Sequence, residues 1–406
     1  MKLHRNFFLL VIGCGVLGAM GCGGGSSSNR SPVNAIASPG TNVASITVNA
    51  GPTGNYVDGA FTSVTVCVPG SSTCQTVDGI LVDTGSSGLR ILSSQVTLPL
   101  VQQNAPDGNP LVECFPFVSG YTWGGVYVAD VEIAGEKGSS TPIELIGGTS
   151  YPVPAACTNM IATSSDTLET LGAYGILGVG QAPQDCGAGC PPSLYYGCTS
   201  SGCVGFSPTL AQQVPNPVTL FAADNNGVIM ELPAVTAPEA TSSGSLVFGI
   251  GTQANNALGA ATVYTANTNP NDYGTFTTVY EGNAYSQSFI DSGSNGYFFL
   301  DNPTTGLPYC DVNSNQPQGD GFYCPATTAN LSATNQGVNG ASGTVSFSVG
   351  NANSLFADSN DTVFNDLGGP FPGSFDWGLP FFFGRNVYVA IGGMSTPGGV
   401  GPYWAY

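Results

Sequence analysis

Apolar positions along this chain come in three textures. Near the start, Lys2 and Arg5 precede an unbroken apolar run from Phe7 to Met20, the charge-then-apolar order of a secretory leader, with an apolar core short for a bilayer span. From Asn29 to about Val43 the residues are Ser, Asn, Pro and Ala without any apolar period, which predicts a flexible tether. From Ser45 onward, short β-branched runs alternate with Gly, Pro and Asn turns, and that rhythm predicts strands. A second break, Ala234-Val235-Thr236-Ala237-Pro238-Glu239-Ala240-Thr241-Ser242-Ser243-Gly244, divides the folded part into halves of similar length. The expected organisation is a leader over residues 1–21, a tether over 22–44, and two lobes over 45–234 and 235–406.

Composition sharpens the β reading. Charged residues make up only 8% of the 406, about a third of the usual share. Glycine and proline number 58 and 29, which favours bends over helices. The formal net charge of −19 opposes nucleic acid as a partner, because phosphate binding needs clustered cations.

Removal of the leader carries chemical consequences. The run closes on Ala19-Met20-Gly21-Cys22 and continues Gly23-Gly24-Gly25-Ser26-Ser27-Ser28, which resembles a bacterial lipoprotein signal with Cys22 as the lipidated first residue. Cys14 is a rival position, but cleavage there leaves an odd thiol, whereas cleavage before Cys22 leaves ten further cysteines, an even number suited to disulfides in an oxidising compartment. A lipid anchor would place the chain in the bacterial cell envelope, and Gly23 after it favours the outer membrane. The single histidine, His4, departs with the leader, so Ser-His-Asp and Cys-His mechanisms are excluded and acid/base work falls to carboxylates. The ten cysteines fall into local groups: Cys67 with Cys74, Cys114 with Cys157, Cys310 with Cys324, and a cluster of Cys186, Cys190, Cys198 and Cys203 whose pairing stays open. The spacings in that cluster, 3, 7 and 4 intervening residues, fit no common zinc knuckle, so disulfides are expected and no metal.

The halves repeat a motif. Ile80-Leu81-Val82-Asp83-Thr84-Gly85-Ser86-Ser87-Gly88 finds its counterpart in Ser288-Phe289-Ile290-Asp291-Ser292-Gly293-Ser294-Asn295-Gly296. A second echo, Gly175-Ile176-Leu177-Gly178 and Asp376-Trp377-Gly378-Leu379, follows at nearly matched offsets, as a duplicated lobe with a pseudo-two-fold axis requires. In each motif glycine lets the backbone approach its symmetry mate where a Cβ would clash. The hydroxyls of Thr84, Ser86, Ser292 and Ser294 can donate to the carboxylates or to backbone. Facing turns would set Asp83 and Asp291 against one water, and like charges that close share a single proton, so one acts as base while the other is an acid.

These landmarks, with Gly244-Ser245-Leu246-Val247-Phe248-Gly249, resemble the pepsin-like aspartic proteases over Ser45 to the C-terminus. The stretch from Phe375 to Arg385 is similar to a family of uncharacterised bacterial lipoproteins that carry the same Asp pair. The resemblance implies an all-β, bilobal double β-barrel with an interlobe cleft. It also implies an envelope-anchored or secreted aspartic endopeptidase in which an Asp83/Asp291-activated water cuts an extended peptide or protein substrate, without metal or organic cofactor. The chain is expected to act as a monomer, tied to the lipid bilayer by its N-terminal lipid. Two positions depart from the family pattern: Arg90 stands where a flap-supporting Trp is common, and Ser292 where Thr is commoner. Tyr121 and Trp123, in Gly120-Tyr121-Thr122-Trp123-Gly124-Gly125, are the flap candidates, although aligning Asp130 on the family's usual Asp points to Val118. Arg90 and Arg385 are expected to pair with carboxylates, and Phe381-Phe382-Phe383 to lie in the core. The alternative readings are a catalytically weak or inactive pepsin-like binding module and a structural surface lipoprotein.

Overall fold

A computed structural model describes residues 36–310 and 319–406; the expected leader, Cys22 and most of the tether lie outside the described residues. Strands dominate, as the alternating apolar runs predict. Twenty-five are present among the described residues, and the α-helical segments are four-residue turns. The strand Val43–Asn49 opens inside the stretch expected to be tether, because Val43 and Ala44 are already buried.

The strands form a sixteen-stranded sheet, a seven-stranded sheet and a small two-stranded ribbon, folded as two β-barrel lobes with a cleft between them. The largest sheet does not stop at the break near residue 234. Val43–Asn49 pairs antiparallel with Ser242–Phe248, with Val43 opposite Val247 and Val48 opposite Ser242. Ser242–Phe248 pairs in turn with Gly227–Leu232, which pairs with Arg385–Ala390. Strands from early and late in the chain thus share one hydrogen-bonded floor beneath the cleft.

One hydrophobic core runs through both lobes, and its two parts differ in chemistry. The first is aliphatic, with Ile46, Val64, Val66, Ile80, Leu89, Ile91 and Leu177 buried. The second is aromatic: Phe375 stacks on Trp377 with centroids 5.3 Å apart, and Phe347 meets Trp377 edge-on at 5.2 Å. Phe381, Phe382 and Phe383 are buried here, as expected.

All ten expected cysteines are in disulfides. Cys67–Cys74 closes the hairpin Gly59–Cys67/Cys74–Asp83 at directly opposed positions, and Cys114–Cys157 and Cys310–Cys324 form as grouped. The open cluster resolves into Cys186–Cys190 and Cys198–Cys203, the second also an opposed pair on a hairpin.

Candidate active site

The strand Cys74–Asp83 runs into the first Asp turn, and Asn283–Ile290 runs into the second. Each is held on one side by the strand of the later echo. Val82 and Asp83 lie parallel to Leu177 and Gly178, and Ile290 lies parallel to Trp377. Glycine is required where the segments cross. A Cβ on Gly178 would stand 2.6 Å from a Ser87 carbon, and one on Gly378 2.1 Å from the Gly296 carbonyl oxygen, both below any real contact.

Two side chains bolt the turns together. The Thr84 amide donates to Ser292 Oγ (3.1 Å) while the Ser292 amide donates to Thr84 Oγ1 (2.9 Å). Thr84 Oγ1 then donates to the Ile290 carbonyl (3.2 Å) and Ser292 Oγ to the Val82 carbonyl (2.7 Å). Each hydroxyl gives one proton and receives one, so both buried groups are satisfied. Serine performs this role as threonine does, since only the hydroxyl takes part.

The remaining hydroxyls and amides hold the carboxyls. Ser86 Oγ donates to Asp83 Oδ2 (2.5 Å), and the Gly85 and Ser86 amides donate to Asp83 Oδ1 (2.8 and 3.1 Å). Across the axis, Ser294 Oγ lies 3.1 Å from Asp291 Oδ2, and the Gly293 amide donates to Asp291 Oδ1 (2.7 Å). The Gly85 amide also reaches Asp291 Oδ1 (3.1 Å), so one N–H touches both acids. A Cβ on Gly85 would sit 2.5 Å from Asp291 Cγ, and one on Gly293 2.8 Å from Asp83 Cγ. The structure therefore brings together Asp83, Asp291 and all six supporting residues singled out in the sequence. Burial first, then the charge of Asp83, hold the Asp291 carboxyl well above the usual carboxylate range, so Asp291 keeps a proton when its neighbour is ionised.

The acids open onto a cleft of about 410 Å³. Its walls include Phe115, Phe117, Val118, Leu81 and Ile176 from the first half, and Phe289, Tyr273 and Trp404 from the second. The overhanging hairpin is Leu111–Pro116/Tyr121–Ile133, turned at residues 117–120. Tyr121 and Trp123 are on it but do not face the cleft, which corrects the flap expectation. Trp123 opposes Cys114, and residues opposed in an antiparallel pair share a face; Tyr121 opposes the cleft-lining Pro116 but does not itself line the cleft. Both are buried in a cluster around Cys114, Cys157, Tyr196 and Cys198, and the Trp123 indole donates to the Tyr151 carbonyl (3.1 Å). The tip is Phe117, Val118 and Ser119, with Val118 73% exposed, the position the Asp130 register pointed to.

The opposite face of the hairpin meets Arg90. Its fully buried guanidinium contacts Glu113 (2.9 Å), Asp185 (2.7 Å) and Glu144 (3.1 Å), and lies 3.7 Å from the centroid of the Phe115 ring. One cation cannot neutralise three carboxylates. Burial accordingly lifts Glu113 well above its ordinary range and Glu144 to about 8, against the pull of Arg90. Arg385 departs from expectation: among the described residues it makes no ion pair, but donates to the Phe381 carbonyl (2.5 Å) over that residue's ring. It borders a larger hollow, about 580 Å³, which includes neither acid of the pair.

Three residues at the site escaped sequence reasoning. Tyr56 lines the cleft near both acids; burial and then the charges of Asp83 and Asp291 push its hydroxyl above the usual tyrosine range. Gln181 lines it with a buried carboxamide whose two polar atoms have no partner among the described residues. Asp376 lies behind Asp291, with Ser294 Oγ 2.6 Å from its Oδ2. Only Asp376 had a sequence signal, as an acid inside an otherwise apolar echo.

Fold and site together define a pepsin-like architecture with paired acids. Among solved structures, the chain is similar to an aspartic proteinase from Irpex lacteus, at 16% identity and a TM-score of 0.51, over 89% of this chain and 96% of that one. The chain belongs to the family described as "Protein of unknown function (DUF3443)", whose model matches residues 38–406. No curated protein matches it.

Proposed function

We propose that the protein is an aspartic endopeptidase, tethered to the bacterial envelope through a lipid on Cys22. The observation that carries this reading is the single Gly85 amide donating to both Asp83 and Asp291, which brings the two acids within reach of one donor. Asp291, which holds the shared proton, would donate it toward the oxygen of the scissile carbonyl. Asp83 would take a proton from the attacking water, as a general base needs only hydrogen-bond reach to that proton. The tetrahedral intermediate forms as the C–O bond is made. It collapses when the C–N bond breaks, the proton held by Asp83 passes to the leaving nitrogen, and one hydroxyl proton of the intermediate returns to Asp291 as the C=O bond re-forms. An extended peptide would lie along the apolar cleft walls beneath the hairpin tip, paired in part through its main chain.

The test is digestion of an unfolded protein substrate at acid pH. Cleavage that stops with a pepstatin-like inhibitor and with Asp83→Asn is the expected result. Intact substrate at every pH, with tight binding of the inhibitor, would replace this reading with that of a peptide-binding module. For the anchor, radiolabelled palmitate incorporation that disappears in Cys22→Ser is expected; unlabelled wild type would remove it.

A further inference from the structure

The two Asp turns are not electrically alike, and the asymmetry rests on one hydroxyl. Ser294 Oγ is 3.1 Å from Asp291 Oδ2 and 2.6 Å from Asp376 Oδ2. A serine hydroxyl carries one proton, while two ionised carboxylates offer only acceptors. With both ionised, one of these contacts would be an oxygen facing an oxygen with nothing between them. A second proton must therefore sit in the Asp291–Ser294–Asp376 chain, and in the stage of the cycle in which Asp83 holds the proton and Asp291 is ionised it cannot come from the catalytic pair.

Its place follows from the surroundings. Asp291 already accepts amide protons from Gly293 and Gly85 on Oδ1, contacts that favour an acceptor. Asp376 has none: its Oδ1 is buried with no hydrogen-bond partner. Phe289 and Phe298 stand opposite Asp376 on the two flanking strands. The titratable groups facing it are Asp291 and Asp83, both acids, and among the described residues no ion pair involves it. A neutral acid tolerates such a site far better than a carboxylate does.

Resting on the peptidase reading, we propose that Asp376 is a positioning residue, a protonated third carboxyl that donates to Ser294 Oγ and so fixes the Ser294 proton on the outer oxygen of Asp291. Burial, and then the charge of Asp83, outweighs the Ser294 contact and raises Asp376 well above its ordinary range. The first turn has no equivalent. Ser86 serves Asp83 without a second acid, and the residue two before Gly178, matching Asp376 before Gly378, is Ile176. When Asp376 loses its proton, Ser294 is drawn to it, Asp291 loses that donor, and a second negative charge is added beside the one the pair already carries. The alkaline limit of activity is thereby set behind the site.

The experiment compares Asp376→Ile, which copies the residue of the first half, with Asp376→Asn, whose N–H replaces the carboxyl proton. Asp376→Ile is expected to lower kcat about tenfold, the equivalent of one lost contact, with KM little changed. Asp376→Asn should recover most of that loss and extend activity to higher pH than wild type. A wild-type alkaline limb in Asp376→Asn, or wild-type kcat in Asp376→Ile, overturns the proposal. Carboxyl carbon NMR of protein labelled at aspartate reads the proton without turnover. A signal missing from Asp376→Asn should titrate well above the ordinary carboxyl range, and titration within that range overturns the proposal whether or not substrate is cut. Absence of cleavage with the raised signal present would instead remove the peptidase reading alone.

Discussion

Seven residues after Asp83 stands Arg90, and seven after Asp291 stands Phe298. The first half surrounds that position with Glu113, Glu144 and Asp185 in a buried ion cluster. The second half places rings there, with Phe298 5.9 Å from Phe322. Yet the turns in front are nearly superimposable in their bonding, Thr84 matching Ser292 and Gly178 matching Gly378. What must be alike is whatever touches backbone: two hydroxyls that donate to carbonyls across the axis, and glycines where a Cβ would enter the neighbouring chain. Behind that layer, a charge cluster and an aromatic core support the same geometry, because a turn feels its neighbours' shape more than their chemistry.

The equivalence of the two acids is broken most severely by removing either one. Asp83→Asn and Asp291→Asn are each expected to lower kcat on the order of 10⁴-fold, the upper range for general acid–base groups. Circular dichroism should remain that of the wild type. The proposal for the paired site fails if one acid is dispensable.

A large effect on stability is expected behind the first turn. Arg90→Met leaves three buried carboxyls without a counter-charge and should cost about 3–5 kcal/mol in urea unfolding. A cost below about 1 kcal/mol would mean that the three acids are neutral and the cluster is held by hydrogen bonds alone. The cluster also predicts a pH dependence. Glu144 folded holds its proton to about 8, above its ordinary 4.5, so the folded state binds more protons than the unfolded one across that interval. The stabilisation is fully present below about pH 4.5, is lost as pH rises toward 8, and then levels off, a change of roughly 5 kcal/mol. Glu144→Gln should flatten the curve. An unchanged slope in that variant would move the effect to Glu113.

Smaller changes sharpen the likeness of the turns themselves. Thr84→Val and Ser292→Ala each remove one hydroxyl that both gives and receives a buried bond, and each should cost about 1–3 kcal/mol. Because they belong to one ring of four bonds, the double variant should cost less than the sum. Additive losses would show the halves to be held independently.

How much of this was legible in the chain follows from the range of each interaction. The Asp turns could be read because their determinants are contiguous: acid, hydroxyl, glycine and hydroxyl within four residues. The Cys67–Cys74 hairpin disulfide was legible for the same reason, whereas the pairing within the cluster of Cys186, Cys190, Cys198 and Cys203 was not. The carboxyl partners of Arg90 come from three separate segments, at Glu113, Glu144 and Asp185, and Tyr56 reaches the cleft from a turn with no motif. Nothing local announces such meetings. The break near residue 234 is one of composition, and Val43–Asn49 pairing with Ser242–Phe248 is a long-range register that composition does not carry.

The flap illustrates that limit and gives the mildest prediction. Among the described residues only the first half arches a hairpin over the acids; no residue of Ala329–Gln336 or Ser342–Val349 in the second half lines the cleft. On a strand of period two, a shift of one residue moves a side chain to the other face, so a sequence rich in aromatics places its rings correctly on the hairpin without saying which point inward. Tyr121 and Trp123 face the Cys114–Cys157 cluster, whereas Phe115 and Phe117 line the cleft. Phe117→Ala should therefore raise KM several-fold through lost apolar contact, an effect of about 1 kcal/mol, with kcat less affected. Tyr121→Phe should leave KM within about twofold, since burial of its ring continues and its hydroxyl does not line the cleft. The reverse ranking in steady-state kinetics would mean that the hairpin turns over when substrate binds, bringing its buried face to the acids.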